Sequence, residues 1–357
     1  MDFAIGEDRQ MLADTMSRFL GKEFDWEKRL DVIETEHGFG RDMWNTVAEL
    51  GVLGALFPEE AGGFGGSAFD IGTVFAEVGR AIATGPYLGT LMAGRLLADA
   101  GETDVLESVI SGEKVLTFAH FPSHDAASGG DADVTASGSG DGVTLDGAKG
   151  VVEYVGAADL VVVTAGDKAY LVETGADGVE IADYKVIDGG SGGELRLSGV
   201  AAKELPGVGA DEIAATVAAG IVANVWESVA VMDQLKDQTL EYMRTRKQFG
   251  VPIGKFQALQ HRMATLALEI EQARSASINA AAHFDKPERD RFCAAAKYTC
   301  ARVGSLAAEE AIQIHGGIGM TWELPLSHYA KRMVMLGHIL GDEDENLARY
   351  MELMRAA

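Results

Sequence analysis

The segment from Asp211 to Arg246, DEIAATVAAGIVANVWESVAVMDQLKDQTLEYMRTR, contains no proline and is nearly continuously apolar. A run of that length and character fits a helix buried on most sides, at the centre of a bundle. Pro252 and Gly254 end it. FQALQHRMATLALEIEQARSASINAAAHF then reads as a second long helix, stopped by Pro287, and RDRFCAAAKYTCARVGSLAAEEAIQIHGG as a third. LSHYAKRMVMLGHIL and its continuation supply the last. Long helices joined by short links predict a four-helix bundle over residues 208–357.

The other two thirds differ in period. Residues 1–115 read as a helical domain. EDRQMLADTMSRFLGKEF spaces Met11, Leu12, Met16, Phe19 and Leu20 helically, and RDMWNTVAELGVLGALF and AFDIGTVFAEVGRAIA repeat the pattern around the breaker PEEAGGFGGS. Residues 116–207 carry the short β-rich runs VTLDG, VVEYV, DLVVVTA, KAYLVET and ELRLSGV, with Gly166-Asp167 as a hairpin signal. Short strands at this spacing predict a small antiparallel β-barrel. SHDAASGGDADVTASGSGDG reads as a polar loop. The expected class is α+β, mostly α, in three domains.

With 30 basic against 55 acidic residues, the net charge is −25, which argues against nucleic acid as a partner. An anionic ligand therefore needs a local positive site. One exists at RTRKQFGVPIGKFQALQHRMA, where Arg244, Arg246, Lys247 and Lys255 cluster with Phe249 and Phe256 at a helix junction. Basic residues in a last helical turn can also simply complement the helix dipole. Cys293 and Cys300 are roughly 10 Å apart by helical rise, too far for a disulfide, which fits a reducing compartment. The N-terminus has no signal-peptide core, and no stretch is expected to span a membrane, so a cytoplasmic location is expected.

Helices, then strands, then a bundle, together with RKQFGVPIGKFQ (246–257), IQIHGGIGMTWE (312–323) and PEEAGGFGG (58–66), resemble the acyl-CoA dehydrogenase family. The resemblance covers nearly the whole chain and is greatest to the pimeloyl-CoA dehydrogenase small-subunit type. It implies FAD as cofactor, α,β-dehydrogenation of an acyl-CoA thioester, and an electron-transfer flavoprotein as partner. It also implies a flavin at a subunit interface, with one chain's barrel holding the ring and its neighbour the pyrophosphate and adenosine. On that basis Arg246 is the pyrophosphate guanidinium, always charged and able to donate two parallel hydrogen bonds. Gln248, Gln257 and Gln313 offer polar contacts, and Phe249, Ile253 and Phe256 apolar ones. Gly316 and Gly317 permit close backbone approach. His315 reads as a packed or capping residue.

The family's base, usually a glutamate after the last bundle helix, is missing. Counting from Gln313 lands on Leu340, and aligning on LAR (347–349) lands on Asp342. A second family position, on the first long bundle helix, is Gly220 here, with Glu227 two turns on beside Trp226. Asp342 and Glu227 are thus the candidate catalytic bases. A paired or interface role is an equal alternative for Glu227, and a solvated acidic helix start for the run Asp342–Glu345. The ring-side signatures also depart: AHFPSHDAAS (119–128) stands at the first strand end, and Val151, Val152 and Glu153 stand where the family shows Trp-Ile-Thr. An anionic Glu153 there would disfavour a reduced anionic ring.

Two organisations follow. In the favoured one, the chain is the partner subunit of a heterotetramer and completes the FAD site of a homologous catalytic subunit. In the other, it is a self-sufficient homotetrameric dehydrogenase using Asp342 or Glu227. An acyl-CoA oxidase or flavin monooxygenase on the same fold is a further alternative. No metal site is expected.

Overall fold

The computed structural model describes residues 6–123, 132–139 and 142–356. Six helices come first: α1 (Glu7–Glu23), α2 (Trp26–Glu34), α3 (Arg41–Glu49), α4 (Ala68–Ala81), α5 (Tyr87–Asp99) and α6 (Thr103–Ile110). The strands follow as β1 (Leu116–Ala119), β2 (Thr135–Ser137), β3 (Val143–Glu153), β4 (Leu160–Ala165), β5 (Lys168–Glu173), β6 (Val179–Lys185) and β7 (Ser191–Glu204). The long helix is α7 (Ala210–Thr245), and a two-stranded hairpin, β8 (Lys247–Gln248) and β9 (Val251–Pro252), leads out of it. The chain ends with α8 (Gln257–Ala282), α9 (Arg289–His315), α10 (Pro325–His338) and α11 (Glu343–Ala356).

The chain divides into two compact units. One contains the N-terminal segment through Trp26, Ile71–Ala83 and everything from Ile221 onward; the other contains Glu27–Asp70 and Thr84–Gly220. In the first unit, α7 buries Val222, Val225, Val229, Met232 and Leu235, and α9 buries a largely small-residue face that includes Ala294, Cys300, Gly304, Ala307 and Ala311. Such small side chains let helices approach closely. The extreme case lies on α4: a Cβ on Gly72 would stand 2.4 Å from the Trp226 ring, and one on Gly79 would stand 2.8 Å from Cγ of Glu227.

In the second unit, the sheet runs β1-β4-β5-β7-β3-β2, with β6 also paired to β7. The pairs are antiparallel except β1 with β4, which is parallel and departs from the all-antiparallel expectation. A bridge between Pro122 and Lys149 brings the chain after β1 against β3, so the sheet curls back on itself. Strand β3 sends Val143, Leu145 and Val152 into the core, where they join Val161, Val163, Tyr170, Leu195 and Val200. Gly166, at φ 61°, and Asp167 form the expected two-residue hairpin, with Ala165 opposite Lys168.

Three further expectations change. VTLDG and VVEYV fall largely on one strand, β3, which ends at Glu153. The last bundle helix is interrupted: Leu340 (φ 63°) and Gly341 (φ 91°) take left-handed conformations between α10 and α11. Finally, α7 is long and apolar enough by composition to cross a membrane, contrary to the sequence expectation, but 78% of its most apolar window is buried inside the fold. A helix enclosed in this way satisfies its apolar face with protein.

Candidate functional site

The basic cluster sits at a corner, and the chain there is shaped by backbone bonds. Arg246 N–H donates to Tyr242 O at 2.8 Å, closing the last turn of α7. Ile253 N–H then donates to Arg246 O at 2.8 Å, so the loop returns to its starting point. Between them, β8 and β9 pair across Phe249-Gly250, at φ 53° and 83°. Two positive φ values mark a primed hairpin turn, where a phenylalanine is uncommon. Phe249 is nevertheless 92% exposed, with its ring edge-on to Phe256 at 6.2 Å. Gln248 and Gln257 are exposed, whereas Ile253 is buried. Ile253 therefore anchors the corner and does not offer the apolar contact expected of it.

Arg244 faces Glu241 at 3.6 Å on the surface. Arg246, Lys247 and Lys255 are exposed and have no ion-pair partner among the described residues. The end of α9 supplies the complement. Gln313, Gly316 and Gly317 are exposed, and a Cβ on either glycine would meet nothing within 4 Å. Gly316 adopts φ 71°. The Tyr242 and His315 rings stack at 4.2 Å and 24°, and this contact brings the turn carrying Arg246 to the double glycine. His315 is buried, its Nδ1 lies 2.8 Å from Ala311 O, and burial pushes its pKa down. It is a packed residue, as its sequence context suggests. An unpaired guanidinium, exposed amides and open glycine backbone suit an extended anion such as a pyrophosphate.

The two candidate bases are held differently. Glu227, 2% exposed, receives a 2.6 Å hydrogen bond and ion pair from Arg332 Nε on α10. Asp342 is the N-cap of α11. Its Oδ1 accepts from Glu345 N–H at 2.9 Å, and Glu345 Oε2 accepts from Asp342 N–H at 3.0 Å. That is a reciprocal capping box. Asn346 adds a 2.9 Å bond to Asp342 O. Both carboxylates thus have structural partners. Leu340 is buried in the left-handed turn, and Gly220 is buried in α7.

The ring-side strand is β3. Its register against β7 shifts between Lys149 and Val152, and the bulge displays Val151 at φ 50°, 59% exposed. Glu194 Oε1 accepts from Val151 N–H at 3.4 Å. Val152 is buried, and Glu153 O accepts from Thr117 Oγ1 at 2.6 Å. Lys149 is buried and donates to Asp133 Oδ1 at 2.6 Å and His120 O at 2.8 Å. Burial lowers its pKa, opposed by Asp133. Of AHFPSHDAAS, only the part through Ser123 falls within the described residues. No tryptophan face or hydroxyl donor stands at 151–153, so this strand lacks the ring-side groups that the sequence pattern leads one to seek.

Sequence reasoning missed Arg332, which lies 105 positions from Glu227. It also missed the capping box, although the Asp-x-x-Glu spacing of Asp342 and Glu345 before a helix was a usable signal.

Residues 207–349 match the family model described as acyl-CoA dehydrogenase, C-terminal domain, and residues 6–112 match acyl-CoA dehydrogenase, N-terminal domain. The chain is 30% identical over 350 residues to acyl-CoA dehydrogenase IpdE2 of Mycolicibacterium smegmatis, covering 97% of this chain and 98% of that one. The chain belongs to the acyl-CoA dehydrogenase family. Acyl-CoA dehydrogenase FadE27 of Mycobacterium tuberculosis is 28% identical, with 92% of each chain covered. Among solved structures, the ChsE4-ChsE5 complex from Mycobacterium tuberculosis is similar at TM-score 0.92 and 26% identity over 100% of both chains. A Tcur3481-Tcur3483 steroid ACAD variant is similar at TM-score 0.90 and 26% identity over 99% of both. Acyl-CoA dehydrogenases are FAD-dependent oxidoreductases. In this member, the corner with Arg246, Phe249, Gly316 and Gly317 is exposed and open, with room for an extended anion.

Proposed function

We propose that this chain is the partner subunit of a heteromeric acyl-CoA dehydrogenase that desaturates the α,β bond of an acyl-CoA thioester. It lends its corner to an FAD whose ring is seated in a homologous catalytic subunit. The observation that carries this reading is the contrast between the two ends. Arg246 is exposed and has no ion-pair partner among the described residues, whereas Glu227 and Asp342 are bound to Arg332 and to the α11 backbone. A base must be free to accept the substrate's α-proton.

In this arrangement, Arg246 donates to pyrophosphate oxygens, and the Gly316-Gly317 backbone lets them approach. Gln248, Gln257 and Gln313 bind polar edges, while Phe249 and Phe256 cover the cofactor's flank and exclude water. FAD, when bound, supplies the two-electron acceptor for the desaturation. Proton abstraction falls to the catalytic subunit. The two subunits named in the ChsE4-ChsE5 complex support the hetero-oligomer. The steroid ACAD neighbour supports an acyl group carried on a bulky ring system. An electron-transfer flavoprotein is the proposed acceptor.

Flavin absorbance per chain tests the organisation. The expected result is no tightly bound FAD on the chain expressed alone, and one FAD per two chains in the oligomer recovered from its native cells. One tight FAD per chain expressed alone would refute it. Reoxidation by oxygen as fast as by a flavoprotein acceptor would refute the dehydrogenase assignment in favour of an oxidase.

A further inference from the structure

The corner has two halves from different helices, and almost nothing polar joins them. Among the described residues, no hydrogen bond or ion pair runs from residues 244–252 to residues 313–320. The two halves meet through Tyr242 and His315. Tyr242 sits one turn before Arg246, whose N–H its carbonyl accepts at 2.8 Å. His315 immediately precedes Gly316. Their rings overlap at 4.2 Å and 24°. The stack is fastened from both sides: His315 Nδ1 donates to Ala311 O at 2.8 Å, and Tyr242 OH reaches His315 O at 3.4 Å. A Cβ on Gly319 would stand 3.0 Å from His315 Cβ, so the turn after the double glycine also closes against this residue.

We propose that the Tyr242–His315 stack is the joint that sets the spacing between Arg246 and the Gly316-Gly317 backbone, making Tyr242 and His315 positioning residues for cofactor retention. The inference rests on the preceding reading that this corner holds the pyrophosphate. Its physical basis is that a guanidinium and a peptide backbone can grip one anion only at a fixed separation. Among the described residues, the long Tyr242 hydroxyl contact apart, no polar tie joins the two segments directly; the Arg262–Glu310 pair links α8 to α9 outside both of them. The ring stack supplies a direct tie, because moving the two residues apart gives up its contact.

The test uses the flavin-loaded oligomer purified from its native cells through a tag on this chain. Released and rebound FAD is followed by flavin fluorescence, independently of turnover. Tyr242→Leu and His315→Ala should each weaken FAD retention by about tenfold, the upper range of a lost aromatic pair. Tyr242→Phe and His315→Phe keep a ring and should retain FAD within about twofold. In an Arg246→Ala background, Tyr242→Leu should add less than about twofold, because the joint acts through that arginine. Wild-type retention by Tyr242→Leu, or losses that multiply with Arg246→Ala, would overturn the joint while leaving the clamp standing. Loss in Tyr242→Phe would also overturn it, since that variant preserves the stack. Unchanged retention in Arg246→Ala alone would instead overturn the clamp reading, and the joint with it.

Discussion

Replacing Glu227 by Gln separates a structural carboxylate from a catalytic one. Glu227 is 2% exposed, and its 2.6 Å partner Arg332 has a side chain 19% exposed. Removing one member of a buried pair costs about 3–5 kcal/mol, and partial solvent access to Arg332 points to the lower end, about 3 kcal/mol. The geometry leaves no slack for rearrangement, because Gly79 brings α4 to within contact of the Glu227 backbone and Cγ. The assay is a double-mutant cycle of Glu227→Gln, Arg332→Met and the double variant, by urea unfolding followed by circular dichroism. A coupling energy on the order of 2 kcal/mol is expected. Turnover of the flavin-loaded oligomer should fall only with the folded fraction. Coupling below about 0.5 kcal/mol, with turnover abolished in a fully folded Glu227→Gln protein, would refute the structural assignment and make Glu227 the base.

Asp342→Ala removes an N-cap and should cost about 1 kcal/mol, while Asp342→Asn keeps most of it; turnover unchanged in both would remove Asp342 from proton transfer, and a selective loss in Asp342→Asn would restore it. Phe249→Asn suits a left-handed position and should leave the unfolding midpoint unchanged or slightly higher, while FAD retention in the oligomer falls; retention at the original level would exclude Phe249 as a cofactor wall. Lys297 is buried in α9 and donates to Leu336 O at 2.5 Å and Gly337 O at 3.3 Å, with burial pushing its pKa down to about 8. At Lys297 the unfolded chain then holds more protons than the folded one above that pH, so this residue should contribute a rise in stability from pH 8 to 9, read as the wild-type slope minus the slope of Lys297→Met. From about pH 8 upward, where unfolded cysteine begins to ionise, the thiols oppose it: burial raises Cys300 to about 11 and Cys293 to about 12, so folding retains protons that the unfolded chain loses. Unfolding free energies from urea titrations at pH 7, 8, 9 and 10 would follow both slopes, each fully differing proton changing stability by about 1.4 kcal/mol per pH unit.

The long helices were readable because length, apolarity and the absence of proline leave α7 few alternatives. The Gly166-Asp167 hairpin was readable because only two residues separate its strands. β6 was not, since VEIADYK is mostly exposed on a strand paired on one side only, which erases the period-2 signal. The parallel pairing of β1 with β4 is a property of topology, and no local pattern announces it. At the corner, Arg246 could be singled out by residue type. That Ile253 turns inward and Phe249 outward depends on the primed turn, and Phe-Gly does not advertise one. The Glu227–Arg332 pair joins distant segments, so composition alone left pairing and catalysis equally open.

Gly72 and Gly79 lie two turns apart on α4, against the consecutive residues Trp226 and Glu227 of α7. Without Cβ atoms at these points, the helices approach along their backbones, and the fit has the character of a register mark. Sliding α4 by one turn would replace a glycine with a side chain against the indole or the paired carboxylate. The same two positions should therefore act as a vernier, admitting one alignment of the helices and rejecting its neighbours.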